Sequence, residues 1–311
     1  MKSWELIIIG AGAAGLAAGI YGVRSGLKTL ILEEKMAGGT AADAPLIENY
    51  PGFQSINGRE LAQKMVTHCR SVGLEIHELE KVVSLDLKGE KKIVETDKAT
   101  YETKTVVIAS GTRYRELGIP GEKEFRGRGV SYCGVCDGPL FKNKRVLVVG
   151  GGNSAAITAL YIAELASEVK LSHRRGVLRA EEALVKALKN KNNVEILWNT
   201  EVKEIEGEQV VSKVILFNNK TEETKELKLD GVFIQVGEAP NSRLAKKAGV
   251  NVGEKGYIAV DMRQHTNIAG VYAAGDVTNH PIKQIGTAVG QGITAALEAY
   301  GYIRRPYHYK L

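Results

Sequence analysis

ELIIIGAGAAGLAAGIYGVRSG, residues 5–26, reads as three pieces in immediate succession. Leu6 to Ile9 is a continuous apolar run, the pattern of a strand buried on both faces of a parallel sheet. Gly10, Gly12 and Gly15 follow with the spacing G-x-G-x-x-G, and an alanine-rich helix, with Ala14 in its first turn, runs on to Gly26. In that order the first glycine permits a tight turn and the second lets a pyrophosphate approach the backbone. The third lets helix and strand pack closely. The helix N-terminus then offers free N–H groups and a positive dipole end to phosphate.

The same plan recurs in RVLVVGGGNSAAITALYIAELAS, residues 145–167. Here a strand over Val146 to Val149 leads into Gly150, Gly152 and Ala155, with Asn153 and Ser154 opening the helix. Each fingerprint is followed by alternating segments typical of antiparallel strands, over 82–104 and 202–229, with hairpin turns at Gly89 and at Asn218-Asn219. Both meanders lead into an apolar strand ending in glycine, VVIASG (106–111) and VFIQVG (232–237). Two copies of one plan predict an α/β chain with two Rossmann-like three-layer nucleotide-binding domains, and two nucleotides.

The two sites differ where the second strand of the motif meets the adenosine ribose. In TLILEEK, Glu33 lies 23 positions after Gly10. A carboxylate there accepts from ribose hydroxyls and repels a 2′-phosphate. The same offset from Gly150 lands on His173, followed by Arg174 and Arg175, with Arg179 shortly after. Planar guanidinium groups suit bidentate phosphate recognition, so the second copy reads as built for NADPH rather than NADH. Near the C-terminus an apolar strand over 271–274 ends in Gly275-Asp276, and a helix is expected from about Ile285. Asp276 is placed to accept from a polyol chain, and the glycine-rich helix to offer N–H groups to a flavin.

SYCGVCDGPL, residues 131–140, carries two of the three cysteines. Such a pair is half a zinc site, a redox-active disulfide or two inert thiols. Zinc would need two further ligands at usable spacing; Cys69 stands alone in an amphipathic helix and His173 belongs to the basic turn, so no metal is expected. The N-terminus has no secretory pattern and no apolar run reaches the ~20 residues that span a bilayer. A cytoplasmic, membrane-free location is therefore expected, where a cysteine pair is more often catalytic or metal-binding than structural. The net charge of +6 is dispersed rather than blocked, which argues against nucleic acid and allows mild attraction to an acidic protein partner.

The order of first fingerprint, CGVCDG, second fingerprint, HRR…RA and AAGDV closely resembles the low-molecular-weight, bacterial and archaeal type of thioredoxin reductase, over essentially the whole chain. The resemblance implies a discontinuous FAD-binding domain over 1–114 and 241–311. An NADPH-binding domain over 115–240, carrying the Cys-x-x-Cys, would be inserted into it, in a homodimer. It assigns FAD to Gly10, Gly12, Ala14, Gly15 and Glu33, to Gly39, Thr40 and Asn49, to Val83 and Gly111, and to Gly275, Asp276, Gln284 and Ile285. NADPH is assigned to Gly150, Gly152, Asn153, Ser154, Ala155, His173, Arg174, Arg175 and Arg179. The implied reaction moves hydride from NADPH to FAD and on to a Cys133–Cys136 disulfide, whose dithiol exchanges with thioredoxin or a thioredoxin-like protein. Cys133 would attack the partner, Cys136 would lie nearer the flavin, and Asp137 would protonate the leaving thiolate. A Cys133 that caps a helix would gain thiolate character from the dipole.

Three positions depart from the family pattern: Thr40 stands for Gln, Ser110 for Thr and Asn153 for Asp. A dithiol oxidase passing electrons to oxygen, a reductase of a peroxiredoxin or glutaredoxin-like partner, a reductase with another donor and a redox-sensing flavoprotein remain as alternatives. The basic turn argues against the oxidase. Segments 110–122 and 236–244, rich in Gly, Pro and polar residues, would permit a hinge between the domains.

Overall fold

A computed structural model describes residues 2–44 and 47–304, apart from the side chains of Lys2, Val135 and Cys136. The chain begins with β1 (Lys2–Ile9), α1 (Ala13–Arg24), β2 (Thr29–Leu32), α2 (Gly58–Ser71) and β3 (Glu75–His77). Next come β4 (Val82–Asp86), β5 (Lys92–Thr96) and β6 (Thr100–Ile108). α1 stops two residues before Gly26 because Gly26 enters the left-handed region (φ +76°), where glycine is favoured and a helix cannot continue. Asn57 caps α2, its side-chain oxygen accepting from Arg59 N–H at 2.9 Å.

After β7 (Thr112–Tyr114) come β8 (Val130–Ser131), the single turn α3 (Gly134–Asp137), β9 (Arg145–Gly150), α4 (Asn153–Ala163), β10 (Glu168–His173) and α5 (Glu182–Lys189). β11 (Val194–Trp198), β12 (Thr200–Gly207), β13 (Val211–Asn218), β14 (Thr224–Lys228) and β15 (Gly231–Gln235) complete this middle region. β16 (Glu238–Pro240), α6 (Arg243–Lys247), β17 (Val271–Ala273) and α7 (Ile285–Arg304) end the chain. It divides into two compact units, 1–113 with 240–311, and 114–239.

Each unit builds the same three layers. In the first, β1 lies parallel to β2 and β6 (Ile8 opposite Ile31 and Val107), in a sheet ordered β3-β2-β1-β6-β5-β4 with β17 beside β6. Alternation along β1 sends Leu6 and Ile8 to the side of α1 and α7, and Ile7 to the opposite core with Val94 and Tyr101. These three residues are fully buried, each worth roughly 1.5–3 kcal/mol relative to exposure. In the second unit the sheet runs β11-β10-β9-β15-β8. Val146 and Val148 face α4, while Leu147 and Val149 pack on Val202, Val214 and Leu216 of the antiparallel β12–β13–β14 meander. The hairpin turns fall where expected, with Gly89 at φ +72° and Asn218 Oδ1 accepting from the N–H groups of Lys220 and Thr221.

Candidate active site

In the first unit two of the three fingerprint glycines are required by contact. A Cβ on Gly10 (φ +105°) would lie 2.9 Å from the Ala109 carbonyl carbon at the end of β6, and one on Gly15 3.0 Å from that of Gly10. Gly12 caps α1 without any side-chain bond, which leaves the first-turn N–H groups open to a phosphate. A second loop closes over it: Gly38 N–H donates to Ala11 O (2.8 Å), and a Cβ on Gly39 (φ +61°) would stand 2.7 Å from Gly12 Cα. Glu33, just beyond β2, grips the fingerprint itself, accepting from Ala11 N–H at 2.7 Å and Lys35 N–H at 2.8 Å. A carboxylate carries about four lone-pair positions, so two remain for ribose hydroxyls.

The C-terminal third completes this cradle. Gly275 N–H donates to Gln291 Oε1 (2.7 Å), and Cβ atoms on Gly275 and Gly292 would stand 2.9 Å from Ala14 Cβ and its carbonyl carbon. The Ala14 side chain is therefore packed against its own chain. Asn49 Nδ2 donates to Gln284 Oε1 (3.2 Å), one residue before Ile285 opens α7. Asp276 is half-buried in the turn before them, and Thr40 is exposed. Val83 is exposed two residues from Lys81, whose Nζ pairs with Glu34 at 2.7 Å. Gly111 (φ +62°) accepts from Asn241 N–H at 2.9 Å.

The second fingerprint is closed by the same means. A Cβ on Gly150 would come within 2.7 Å of Ala155 Cβ, while one on Gly152, which caps α4, would meet nothing within 4 Å. The basic turn is tied to this loop by bonds that no motif announces. Asn153 and Glu181 bond reciprocally (2.6 and 2.8 Å), and Arg179 N–H donates to Gly151 O (2.6 Å). Asn219 Nδ2 braces the turn from below through Arg174 O (2.9 Å). Ser154, Arg174, Arg175 and Arg179 are exposed.

His173 does not share that exposure. It is 6 % exposed, its ring lies against Gly151, and Nε2–H donates to Val177 O at 3.0 Å. Burial, reinforced by Arg179, Arg175 and Arg174, holds its pKa below the ordinary histidine value, so it remains neutral at neutral pH. His173 is thus packed against the glycine loop as a support for the basic turn, while the arginines beside it are exposed.

The cysteine turn follows the edge strand β8. Cys133 is disulfide-bonded, its N–H donates to Ser131 Oγ (3.0 Å), and its carbonyl accepts from Ser131 Oγ (3.2 Å) and Asp137 N–H (3.3 Å). The Cys136 side chain lies outside the described residues. α3 begins after Cys133 and is one turn long, so any dipole at Cys133 is that of a single turn. Two glycines seat this turn on α4: Cβ atoms would come within 2.8 Å of Thr158 Cγ2 at Gly134, and of Ile162 Cδ1 at Gly138. The helix that starts at the second fingerprint thus also carries the cysteines.

Two glycine-closed nucleotide cradles and a disulfide turn seated on the second one define a specific combination. Residues 4–292 match the family model described as pyridine nucleotide-disulphide oxidoreductase. The chain belongs to this family. The oxidoreductase is 43 % identical over 303 residues to the thioredoxin reductase of Bacillus subtilis strain 168, covering 97 % of this chain and 95 % of that protein. A crystal structure of Lactococcus lactis thioredoxin reductase superposes with TM-score 0.94 at 39 % identity, covering 97 % of this chain and all of that one. That of T. acidophilum thioredoxin reductase gives 0.93 at 43 %, covering 97 % and 99 %.

The third cysteine of this oxidoreductase stands apart from the disulfide. Cys69 is a free thiol, fully buried on α2, with Sγ donating to Leu16 O at 3.5 Å, and burial pushes its pKa up to about 12. Among the described residues no group of three or more His, Cys, Asp and Glu is gathered as a metal ion requires, and no helix is long and apolar enough to cross a membrane.

Proposed function

We propose that the chain is an NADPH-dependent thioredoxin-disulfide reductase that binds FAD in the first unit and NADPH in the second. The observation that carries the reading is the seating of the Cys133 turn on α4, the helix whose N-terminus is the second fingerprint. The glycine cradle of Gly10, Gly12, Gly15 and Gly39 fits a pyrophosphate approaching the backbone, and the free lone pairs of Glu33 suit an unphosphorylated ribose. Asn49, Asp276 and Gln284 would hold the flavin end, and Gly152, Ser154, Arg174, Arg175 and Arg179 the phosphates of NADPH. Bound together, the two cofactors supply a pair of electrons and a proton to the Cys133–Cys136 disulfide.

The chain's own groups perform the remaining steps. Cys133 thiolate attacks one sulfur of the partner's disulfide, forming a mixed disulfide and expelling the other sulfur as a thiolate. Cys136 then attacks Cys133, re-forming the internal disulfide and releasing the second thiolate of the partner. Asp137, at the end of the same turn, supplies the proton. Homodimeric assembly and a cytoplasmic location belong to the same reading.

The test is anaerobic stopped-flow mixing with NADPH or NADH, then with an oxidised bacterial thioredoxin. Flavin absorbance should bleach rapidly with NADPH and return on adding thioredoxin. Bleaching by a dithiol but not by NADPH would remove the reductase assignment. Replacing both Arg174 and Arg175 with Ala should raise KM for NADPH about 10²–10⁴-fold and leave NADH nearly unaffected, since each charged hydrogen bond is worth about 1.5–3 kcal/mol and two are lost.

A further inference from the structure

Tyr132, the residue before Cys133, is held at several points by groups that no motif marks. Its hydroxyl donates to Glu122 Oε1 at 2.6 Å, and its ring stacks on Tyr114 with centroids 6.1 Å apart. The Arg126 guanidinium stands 5.0 Å from the same ring. Glu122 is 1 % exposed and also accepts from the N–H groups of Leu117 (2.8 Å) and Gly118 (2.6 Å), so Tyr132 is anchored to a buried, hydrogen-bonded carboxyl group. Burial and that neighbour push the Tyr132 phenol above its ordinary pKa, and it stays a donor throughout the neutral range.

The main chain of Tyr132 is held as well. Its carbonyl accepts from Gln235 Nε2 at 2.8 Å. That carbonyl and the Cys133 N–H are the two ends of one planar peptide group. Gln235 holds the oxygen end, and Ser131 Oγ the N–H end at 3.0 Å. A peptide plane fixed at both ends fixes Cys133 Cα, and the Cys133 carbonyl, held by Ser131 Oγ and Asp137 N–H, limits the φ rotation that would swing its Cβ. Gln235 is also the last residue of β15, opposite Gly150 on β9, where a Cβ on Gly150 would stand 3.0 Å from the Gln235 carbonyl carbon. One residue therefore abuts the second fingerprint with its backbone and steadies the peptide before Cys133 with its side chain.

We propose that Gln235 is a positioning residue for Cys133, pinning the Tyr132–Cys133 peptide so that the Cys133 sulfur meets the partner's disulfide along the line of exchange. The inference deepens the thiol–disulfide reading above and rests on it. Exchange needs the attacking sulfur in line with the bond it breaks, and a displacement of about 1 Å in such a geometry costs about 10²-fold in rate. As a positioning residue Gln235 acts through the peptide it holds.

The test uses the flavin-loaded enzyme with Gln235→Leu, which removes the donor, and Gln235→Glu, which keeps the size and replaces the donor with an acceptor. Three readouts are taken: NADPH-driven reduction of ferricyanide, which bypasses the cysteines, reduction of the aromatic disulfide DTNB, and reduction of an oxidised bacterial thioredoxin. Both variants should keep ferricyanide turnover and melting temperature, and lose about 10- to 100-fold in kcat for both disulfides with KM little changed. Tyr132→Phe, which frees the ring but leaves the carbonyl bond, should give a smaller loss on the same two readouts. Unchanged disulfide turnover in either Gln235 variant overturns the proposal, as does an equal fall in ferricyanide turnover, the mark of a merely structural role. A wild-type enzyme that reduces DTNB but not thioredoxin would refute the assigned partner, while the DTNB arm would still decide the role of Gln235.

Discussion

Replacing Gly151 with alanine puts one methyl group where the His173 ring packs. An ideal Cβ at this position stands 2.7 Å from His173 Nε2, and Nδ1 and Cε1 are closer still. Ordinary carbon contacts begin near roughly 3.5 Å, so the ring must retreat by about 1 Å. It is buried and donates to Val177 O, which makes retreat costly: overpacking typically costs about 1–3 kcal/mol. The least expensive relief is for residues 174–178 to lift with the ring, taking Arg174 and Arg175 out of register. If about 1.4–2.8 kcal/mol of the strain is released this way, KM for NADPH rises about 10–100-fold. NADH approaches the same glycine loop but has no 2′-phosphate, so its KM should change far less. Steady-state kinetics with both nucleotides, beside a melting curve, decide the matter; Tm should fall about 2–4 °C for each kcal/mol lost. A folded Gly151→Ala enzyme whose ratio of KM values for NADPH and NADH equals that of the wild type would refute the claim that His173 supports the basic turn.

Gly39→Ala should lose flavin. The residue sits at φ +61°, which costs a side chain about 1–2 kcal/mol, and its Cβ would stand 2.7 Å from Gly12 Cα. The ratio of visible flavin absorbance to ultraviolet protein absorbance in the purified enzyme reads the outcome. Cys69 should resist alkylation in the native dithiol enzyme even at pH about 9, because its pKa is raised to about 12, and should react only after unfolding; mass spectrometry after iodoacetamide treatment reads this directly. Glu5 receives both Nη groups of Arg304 (2.6 and 2.9 Å), and this pairing holds its carboxyl below the ordinary range. A carboxyl depressed in the folded state contributes stability above its unfolded value of about 4.3 and loses it as pH falls through the folded value. Glu5→Gln should therefore cost about 0.5–1 kcal/mol at pH 7 and flatten the acid side of a urea-midpoint profile below pH about 4.3.

Much of the nucleotide-binding scaffold was legible because its signals are local. Gly15 is limited by Gly10 and Gly150 partly by Ala155, contacts inside the motif itself, although Gly10 is limited by Ala109 at the end of a distant strand. The offset to Glu33 and His173 was also readable, since β2 and β10 are the neighbours of β1 and β9 in their sheets. Orientation was not. His173 and Arg174 alternate across a strand end, and only the packing on Gly151 shows which one turns inward. The bonds from Glu122 to Tyr132 and from Gln235 to Tyr132 span 10 and 103 residues, and neither residue type at either position signals its partner. The Glu33 bond to the fingerprint was hidden for another reason: a ribose-binding carboxylate and a loop-bracing one look identical in a sequence.

The discontinuous unit imposes an order on synthesis. β6 is made long before β17, which covers the far half of its edge, and before α7, whose Ala288, Ala295, Ala296 and Ala299 pack in one core with Leu6 and Ile8. About 160–200 residues separate them, which at about 5–20 residues per second is a wait of about 8–40 s. Throughout that wait the nascent chain carries an open strand edge and an uncovered helix face, the surfaces that aggregate or recruit chaperones. Residues 114–239 wait less long, because every strand of their sheet is local to that stretch. The ribosome thus completes the middle of this protein before its beginning, and the last 20-residue helix is the step that closes the unit begun first.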